Sequence, residues 1–149
     1  MKILFISENT HRGGVDTFLG DLILAWPNLE DELIVLGNLS HPGLAYLRER
    51  LCGKAAVGSH DIPLYVDLVL ATTGRSAARF FRQIFSPFSR VAYFLMAYFR
   101  FRLLFRRIAA DRLVVVAGGY PGGDSCLCAV FAWASEMRDR PPAFFNLHN

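Results

Sequence analysis

Two adjacent glycines, Gly13 and Gly14, stand immediately before a segment whose apolar residues have helical spacing. At a helix N-terminus the unpaired backbone N–H groups and the helix dipole favour an anion, and glycine lets that anion approach the backbone closely. The pair therefore predicts a site for a phosphate-bearing ligand. A tight strand-to-helix turn that binds nothing fits the same residues. We interpret Asp16 as a favourable charge in the first helical turn.

A second glycine-rich segment covers residues 118–123 and has four glycines in six positions, more than a simple connection needs. Close approach of a ligand to the backbone explains these glycines, and so does a flexible connection capped by Asp124. The residues of this segment that we expect at a binding site are Gly118, Gly119, Tyr120, Gly122 and Gly123.

The chain has four histidines that are candidates for hydrogen-bonding or acid–base chemistry. His148 is the strongest of them, because it follows the last predicted strand, where its ring can donate a hydrogen bond to a sugar hydroxyl or an anion. A solvent-exposed histidine is the alternative interpretation. His11 is a weaker candidate, and His41 and His60 are weaker still.

Alternating strands and helices must position these residues. Short apolar runs predict strands at residues 2–7, 32–36, 55–57, 113–117 and 143–147. Helical spacing and capping residues predict helices after Gly14, at 44–51, at 75–85, from Ser86 and Pro87 to about residue 110, and from Asp124 to about residue 137. Residues 61–73 fit either type. We therefore expect an α/β fold, a Rossmann-like parallel sheet with helices on both faces, in one domain over residues 1–149.

In an open parallel sheet the ligand crevice lies outside the carboxyl ends of the strands. The first glycine turn, residues 118–123 and His148 all follow predicted strands, so we expect them to face one crevice. The chain contains neither G-x-G-x-x-G nor G-x-x-x-x-G-K-[ST]. Nicotinamide binding and nucleotide hydrolysis both lose support for that reason.

The composition is that of a folded protein, because 53% of the residues are hydrophobic and can bury a core. We expect a reduced, cytoplasmic protein, since its three cysteines form an odd set and Met1 leads directly into the first predicted strand without a secretory leader. Cys126 and Cys128 are interpreted as small core side chains on a helix, and no metal site is expected.

Positive charge is concentrated between Arg75 and Arg112, where nine arginines accompany the single acid Asp111. Aromatic residues alternate with these arginines, as they do in amphipathic helices that lie on membrane surfaces. We therefore consider docking on an anionic bilayer at the inner membrane face, and a long core helix with a solvated basic side is the alternative. Single-stranded nucleic acid is disfavoured because the aromatic residues are too apolar and helix-bound. The arginines expected at a membrane surface are Arg79, Arg82, Arg100, Arg102, Arg106 and Arg107.

The segment from Gly13 to Phe18 resembles the GG-x-[ED] turn of retaining glycosyltransferase family 4 enzymes, which have the GT-B fold. Residues 106–116 resemble the helix-to-strand connection of that family, and residues 144–149 resemble the strand that delivers its active-site histidine. The resemblance spans the chain, and it identifies this sequence with the N-terminal, acceptor-side half of such an enzyme.

The resemblance implies roles for residues already singled out. Gly13 and Gly14 approach the diphosphate of a nucleotide-sugar, which is a co-substrate, so no cofactor is expected. His148 positions the transferred sugar, and residues 118–123 shape the side that holds a polysaccharide or glycolipid acceptor. The second domain of the family, with its E-x7-E motif, is absent from these residues. We therefore expect a fragment that folds but transfers no sugar alone.

Two other functions remain open at this point. The first is a non-catalytic module that binds a membrane surface and uses the Rossmann-like domain only as a scaffold. The second is a different α/β enzyme that uses a small phosphorylated ligand.

Overall fold

The computed structural model describes residues 1–9, 12–72, 78–117, 123–137 and 139–146, with the backbone alone for residues 69–72, 78–87, Phe144 and Asn146. Its strands are β1 (Lys2–Glu8), β2 (Glu32–Asn38), β3 (Ala56–His60), β4 (Arg112–Ala117) and β5 (Ala143–Asn146). Its helices are α1 (Gly14–Leu24), α2 (Leu44–Arg50), α3 (Tyr65–Thr72), α4 (Ala78–Ile108) and α5 (Gly123–Glu136).

The five strands form one parallel sheet in the order β3-β2-β1-β4-β5. Helices cover both faces, which is why β1 and β4 are apolar almost throughout. One core cluster includes Phe5 and Leu19 on one face, and the other includes Ile6, Phe105 and Trp133 on the opposite face. The Rossmann-like fold predicted from the sequence is confirmed.

The strand order reverses between β1 and β4, and this switch point is where ligands bind in open parallel sheets. The carboxyl end of β1 is Glu8, and the helices that begin beside it are α1 at Gly14 and α5 at Gly123. His60 ends the edge strand β3 at the same side of the sheet. These residues define the carboxyl edge of the sheet.

Helix α4 differs from the sequence-based prediction, because it runs from Ala78 to Ile108 across Pro87 without a break. The predicted restart at Ser86 and Pro87 was wrong. Proline inside a helix costs about 3 kcal/mol, because it removes one backbone hydrogen bond and its ring crowds the preceding turn. The backbone of α4 nevertheless continues through Pro87. Residues 61–73, which fitted either type, contain α3.

At 31 residues, α4 spans about 46 Å, roughly twice the length of a seven-residue strand. Part of the helix therefore has no strand beneath it. Within the described ranges, no helix is both long enough and apolar enough to cross a membrane.

Candidate functional site

The glycine turn before α1 presents bare backbone at the carboxyl edge. Gly13 N–H donates to Asp16 Oδ2 at 3.0 Å, and the Gly13 carbonyl accepts from the Asp16 and Thr17 amides. The N–H groups of Gly14 and Val15 have no acceptor among the described residues. A Cβ atom built on Gly13 or Gly14 would meet nothing within 4 Å. Within the described part of the chain, the turn thus combines two N–H groups that lack an acceptor with open space.

A cation lies beside the glycine turn. The guanidinium of Arg12 stands 4.3 Å from the centroid of the Tyr46 ring in α2, a distance typical of a cation–π contact. This stacking does not neutralise the charge, and Arg12 directly precedes Gly13 in the chain. The segment that leads into α1 therefore carries a positive charge in addition to the positive end of the helix dipole.

Below the turn lies a fully buried pair, Asp16 and His41. His41 Nε2 is 2.8 Å from Asp16 Oδ1, and His41 Nδ1 is 3.1 Å from the Ser7 carbonyl oxygen. A carbonyl oxygen only accepts, so Nδ1 carries a proton. The 2.8 Å contact between Nε2 and Oδ1 requires one further proton between these two atoms, so the pair is neutral overall, as an imidazolium–carboxylate ion pair is.

Two glycines leave the space that this pair occupies. A Cβ atom on Gly43 would lie 2.4 to 2.5 Å from three carboxyl-group atoms of Asp16. A Cβ atom on Gly37 would lie 3.0 Å from the Ser7 carbonyl oxygen and 3.2 Å from His41 Nδ1. At these distances, a side chain at Gly43 or at Gly37 does not fit unless the buried pair moves.

A second buried pair, Glu8 and His60, lies on the other face of the sheet. Glu8 Oε1 and His60 Nε2 are 3.0 Å apart, although the two atoms are not aligned for a hydrogen bond. Ile62 N–H donates to His60 Nδ1, so the ring proton is on Nε2 and the ring is neutral. Ser125 Oγ donates to Glu8 Oε2. Burial raises the pKa of Glu8, against the opposing effect of His60.

The raised pKa of Glu8 predicts a pH-dependent effect of Glu8→Gln. Because the folded-state pKa lies above the ordinary value of 4.5, folding takes up a proton and stability falls as the pH rises from 4.5 through the raised value. A neutral glutamine removes this loss. We expect Glu8→Gln to be more stable than the parent at pH 8, with a smaller difference at pH 5; each tenfold change in proton affinity corresponds to about 1.4 kcal/mol.

Urea unfolding of parent and variant at the two pH values measures this difference. Glu136→Gln is the control, because the pKa of Glu136 is lowered rather than raised. The stability that the Glu136 carboxylate contributes is fully present at both pH values, so the effect of Glu136→Gln should not change between them. An effect of Glu8→Gln that is equally independent of pH contradicts the buried, proton-retaining carboxyl.

Most residues of the second glycine segment are outside the described part of the chain, as are His11 and His148. The site residues concerned are Gly118, Gly119, Tyr120, Gly122 and His148, and their roles stay predictions. Gly123 is the first residue of α5, and a Cβ atom there would meet nothing within 4 Å. The bond from Ser125 to Glu8 brings this helix start to the end of β1, so Gly123 and the glycine turn flank the same edge.

Two of the arginines expected at a membrane surface are paired within the fold. Arg102 and Arg106 of α4 both bind the carboxylate of Glu136 in α5, and Arg106 Nη2 lies 2.9 Å from Glu136 Oε1. They therefore join the two helices, whatever else they contact.

Of the other four arginines expected at a membrane surface, the structure describes the side chains of two. Arg100 is exposed and donates to the Asp61 carbonyl oxygen at 3.3 Å. Arg107 is exposed and has no partner among the described residues. Arg79 and Arg82 lie on α4, and their side chains are outside the description.

Asp16 lies in the first turn of α1, as the sequence predicted, and its carboxyl group is also the buried partner of His41. His41 and His60, the two histidines considered weakest as candidates, are both buried at the carboxyl edge. A signal existed, because His41 and His60 follow the second and third predicted strands, where functional loops begin.

Cys126 and Cys128 are buried in α5, as expected of core side chains, and burial raises the pKa of Cys128 to about 12. Over the described ranges, no cluster of three or more histidine, cysteine or acidic residues is arranged to hold a metal ion. Comparison with protein-family models, with curated proteins and with solved structures finds no match to this chain.

Proposed function

We propose that this chain is the acceptor-side, Rossmann-like domain of a family 4-like glycosyltransferase and that its glycine turn receives the diphosphate of a nucleotide-sugar. The turn lies at the switch point of the sheet, where parallel α/β folds bind ligands. Two N–H groups of the turn have no acceptor among the described residues, and Arg12 precedes them in the chain, so donors and a positive charge are both available for a diphosphate.

The observation that carries the proposal is that nothing within the described fold requires glycine at Gly13 or Gly14. The φ angle of Gly13 is −169°, an extended conformation open to any residue, and a Cβ atom at either position meets open space. Gly43 is different, because the Asp16 side chain excludes a Cβ atom there. Close approach of a ligand from outside is a reason for glycine that packing does not supply.

The buried ion pair beneath the turn supports the same function. An unpaired Asp16 carboxylate, 3.0 Å from Gly13 N, would repel an anion at this place. His41 neutralises that carboxylate from the opposite side. Gly13 N–H is oriented by Asp16 while the turn keeps its affinity for negative charge.

Gly14→Ala tests the proposal, because it should lower the affinity for a ligand at the turn without lowering the stability of the fold. Alanine is the better helix former by up to about 1 kcal/mol, so the free energy of unfolding should be unchanged or slightly raised. The added methyl group blocks the backbone, so the affinity for inorganic pyrophosphate and for uridine or guanosine diphosphate should fall at least tenfold. Calorimetric titration and urea unfolding measure the two quantities.

Gly53→Ala is the matched control, since Gly53 has a φ angle of +78° and lies in a different turn. We expect it to lower stability and leave anion affinity unchanged. Absence of pyrophosphate and nucleoside diphosphate binding to the parent chain rules out the proposed site. Equal affinity for pyrophosphate and the nucleoside diphosphates assigns the turn to a small phosphorylated ligand instead.

A second candidate, the membrane-surface module, is favoured by one observation on α4. Large apolar side chains that are at least half exposed recur along one side of this helix: Phe88, Val91, Leu95, Phe99 and Leu103. Contiguous exposed apolar surface marks interaction sites in soluble proteins. This candidate requires no anion at the glycine turn, so the pyrophosphate measurement also separates it from the first.

A further inference from the structure

A cavity of about 210 Å³ lies between helix α4 and the residues at the end of β3. One of its walls belongs to α4, and the residues of this wall have the i, i+3, i+4, i+7 spacing that places side chains on one face of a helix. They are Arg100, Leu103, Leu104 and Arg107. We call this feature the Arg100–Arg107 cavity. Its α4 wall carries a cation at each end and two leucines between them.

The two arginines of the cavity are not used as Arg102 and Arg106 are, whose guanidinium groups both bind Glu136. Within the described ranges, Arg107 has no partner, and Arg100 donates to the Asp61 carbonyl oxygen at 3.3 Å. A guanidinium group has five N–H donors. Both arginines therefore keep donors for a ligand in the cavity.

The opposite wall consists of His60, Asp61 and Ile62. His60 Nδ1 accepts from Ile62 N–H, and the Phe101 ring packs against the His60 ring edge to face, at 5.4 Å between centroids. Glu8 contacts Nε2 of this ring and does not itself line the cavity. The histidine ring is therefore held in place, and as a neutral ring it adds no charge to the wall.

Asp61 carries the negative charge of the described lining. Its side chain is 79% exposed, and its Oδ2 atom lies 3.9 Å from Arg100 Nη1. An exposed ion pair at this separation contributes little, because water screens both charges. Two positive groups thus line the cavity against one carboxylate that is mostly in water, so the cavity favours an anion.

We propose that the Arg100–Arg107 cavity binds a small oxyanion of the size of inorganic phosphate. The planar guanidinium fork matches the oxygens of such an ion, to which it donates two parallel hydrogen bonds. Sites for larger small molecules start at about 300 Å³, so the cavity suits a phosphate-sized group better than a nucleotide. The inference is independent of the proposed function, because no residue of the glycine turn lines this cavity.

Inorganic phosphate is the probe, titrated calorimetrically at low ionic strength because salt screens exposed charges. The titration uses the Gly14→Ala chain, in which the glycine turn is blocked. We expect one saturable site there, and Arg107→Gln should weaken its phosphate affinity at least tenfold. Arg112→Gln is the matched control, since Arg112 is an exposed arginine at the start of β4, outside the cavity. It changes the net charge equally and should leave the affinity unchanged.

A second variant fills the cavity without changing its charge. Leu103 lines the cavity and is 53% exposed, so the fold accommodates a larger side chain there. Leu103→Trp should weaken phosphate binding at least tenfold. Leu95→Trp is its control, because Leu95 is a leucine of α4 that is 50% exposed and lies outside this cavity, and it should bind phosphate as the background chain does.

Three results contradict the cavity as an oxyanion site. The first is the absence of saturable phosphate binding in the Gly14→Ala chain, and the second is an equal loss of affinity in either variant and its control. The third concerns a lipid head group, whose phosphate has the same chemistry. If Arg107→Gln weakens sedimentation on phosphatidylglycerol vesicles but leaves the affinity for free phosphate unchanged, Arg107 belongs to a membrane-binding surface instead.

Discussion

Replacing His41 with alanine is expected to lower the free energy of unfolding by about 3–5 kcal/mol, the range measured when one partner of a buried ion pair is removed. The Asp16 carboxylate is fully buried and 2.8 Å from His41 Nε2. Without His41 the buried carboxyl group must either carry an unpaired charge or take up a proton, and both lower the stability of the fold at neutral pH. The Ser7 carbonyl oxygen loses a donor as well. Urea unfolding at neutral pH measures the loss.

A double variant distinguishes the ion pair from simple loss of packing. Asp16→Asn leaves an oxygen that can accept from Gly13 N–H but removes the charge. In the background of His41→Ala it should therefore recover stability, by about 2 kcal/mol, because no charge is left unpaired. If Asp16→Asn added to His41→Ala destabilises the chain further, the buried pair is not ionic. Single and double variants together form the thermodynamic cycle that isolates the pair.

The sheet was predictable from the sequence because its signals are local. Each of these signals, such as the apolar run of β1, that of β4 or the glycine pair before α1, is contained in a few consecutive residues, and hydrophobic periodicity and turn residues identify such segments. The strand-turn-helix position of Gly13 and Gly14 follows from the same local pattern.

The buried pairs were not predictable in that way, because their partners are distant in sequence. Asp16 and His41 are 25 residues apart, and their contact exists only once α1 and the loop after β2 pack together. Glu8 meets His60 across an intervening strand. From the neighbouring sequence alone, Asp16 is an acid in a first helical turn and His41 is a histidine in a polar loop, and both patterns are common on protein surfaces.

Helix α4 also differs from what its local sequence predicted, both in the partners of its arginines and in the effect of its proline. Composition revealed the arginine-rich segment but not Glu136, which binds Arg102 and Arg106 from another helix. Similarly, Ser86 and Pro87 have the residue types of a helix start, but α4 continues through both. Residue types that favour a helix start do not show whether the helix also extends before them.

Gly43→Ala is expected to lower the free energy of unfolding by about 2–3 kcal/mol, at the upper end of the cost of overpacking. The φ angle of Gly43 is −80°, which alanine adopts without strain, so by backbone conformation alone the change would be neutral or stabilising. The cost comes from the Asp16 carboxyl group, with atoms 2.4 to 2.5 Å from the new Cβ. Asp16 must move, and its bonds to His41 and Gly13 weaken together.

That displacement links the buried pair to the glycine turn, which gives the variant a second readout. Once Asp16 no longer fixes Gly13 N–H, the turn should lose affinity for pyrophosphate even under conditions where the chain is still folded. Gly123→Ala is the control, because a Cβ atom there meets nothing within 4 Å, and its stability should equal that of the parent. A Gly43→Ala chain as stable as the parent, with unchanged pyrophosphate affinity, would show that Asp16 can leave its pocket freely. In that case the pyrophosphate affinity of the glycine turn would not depend on the ion pair beneath it.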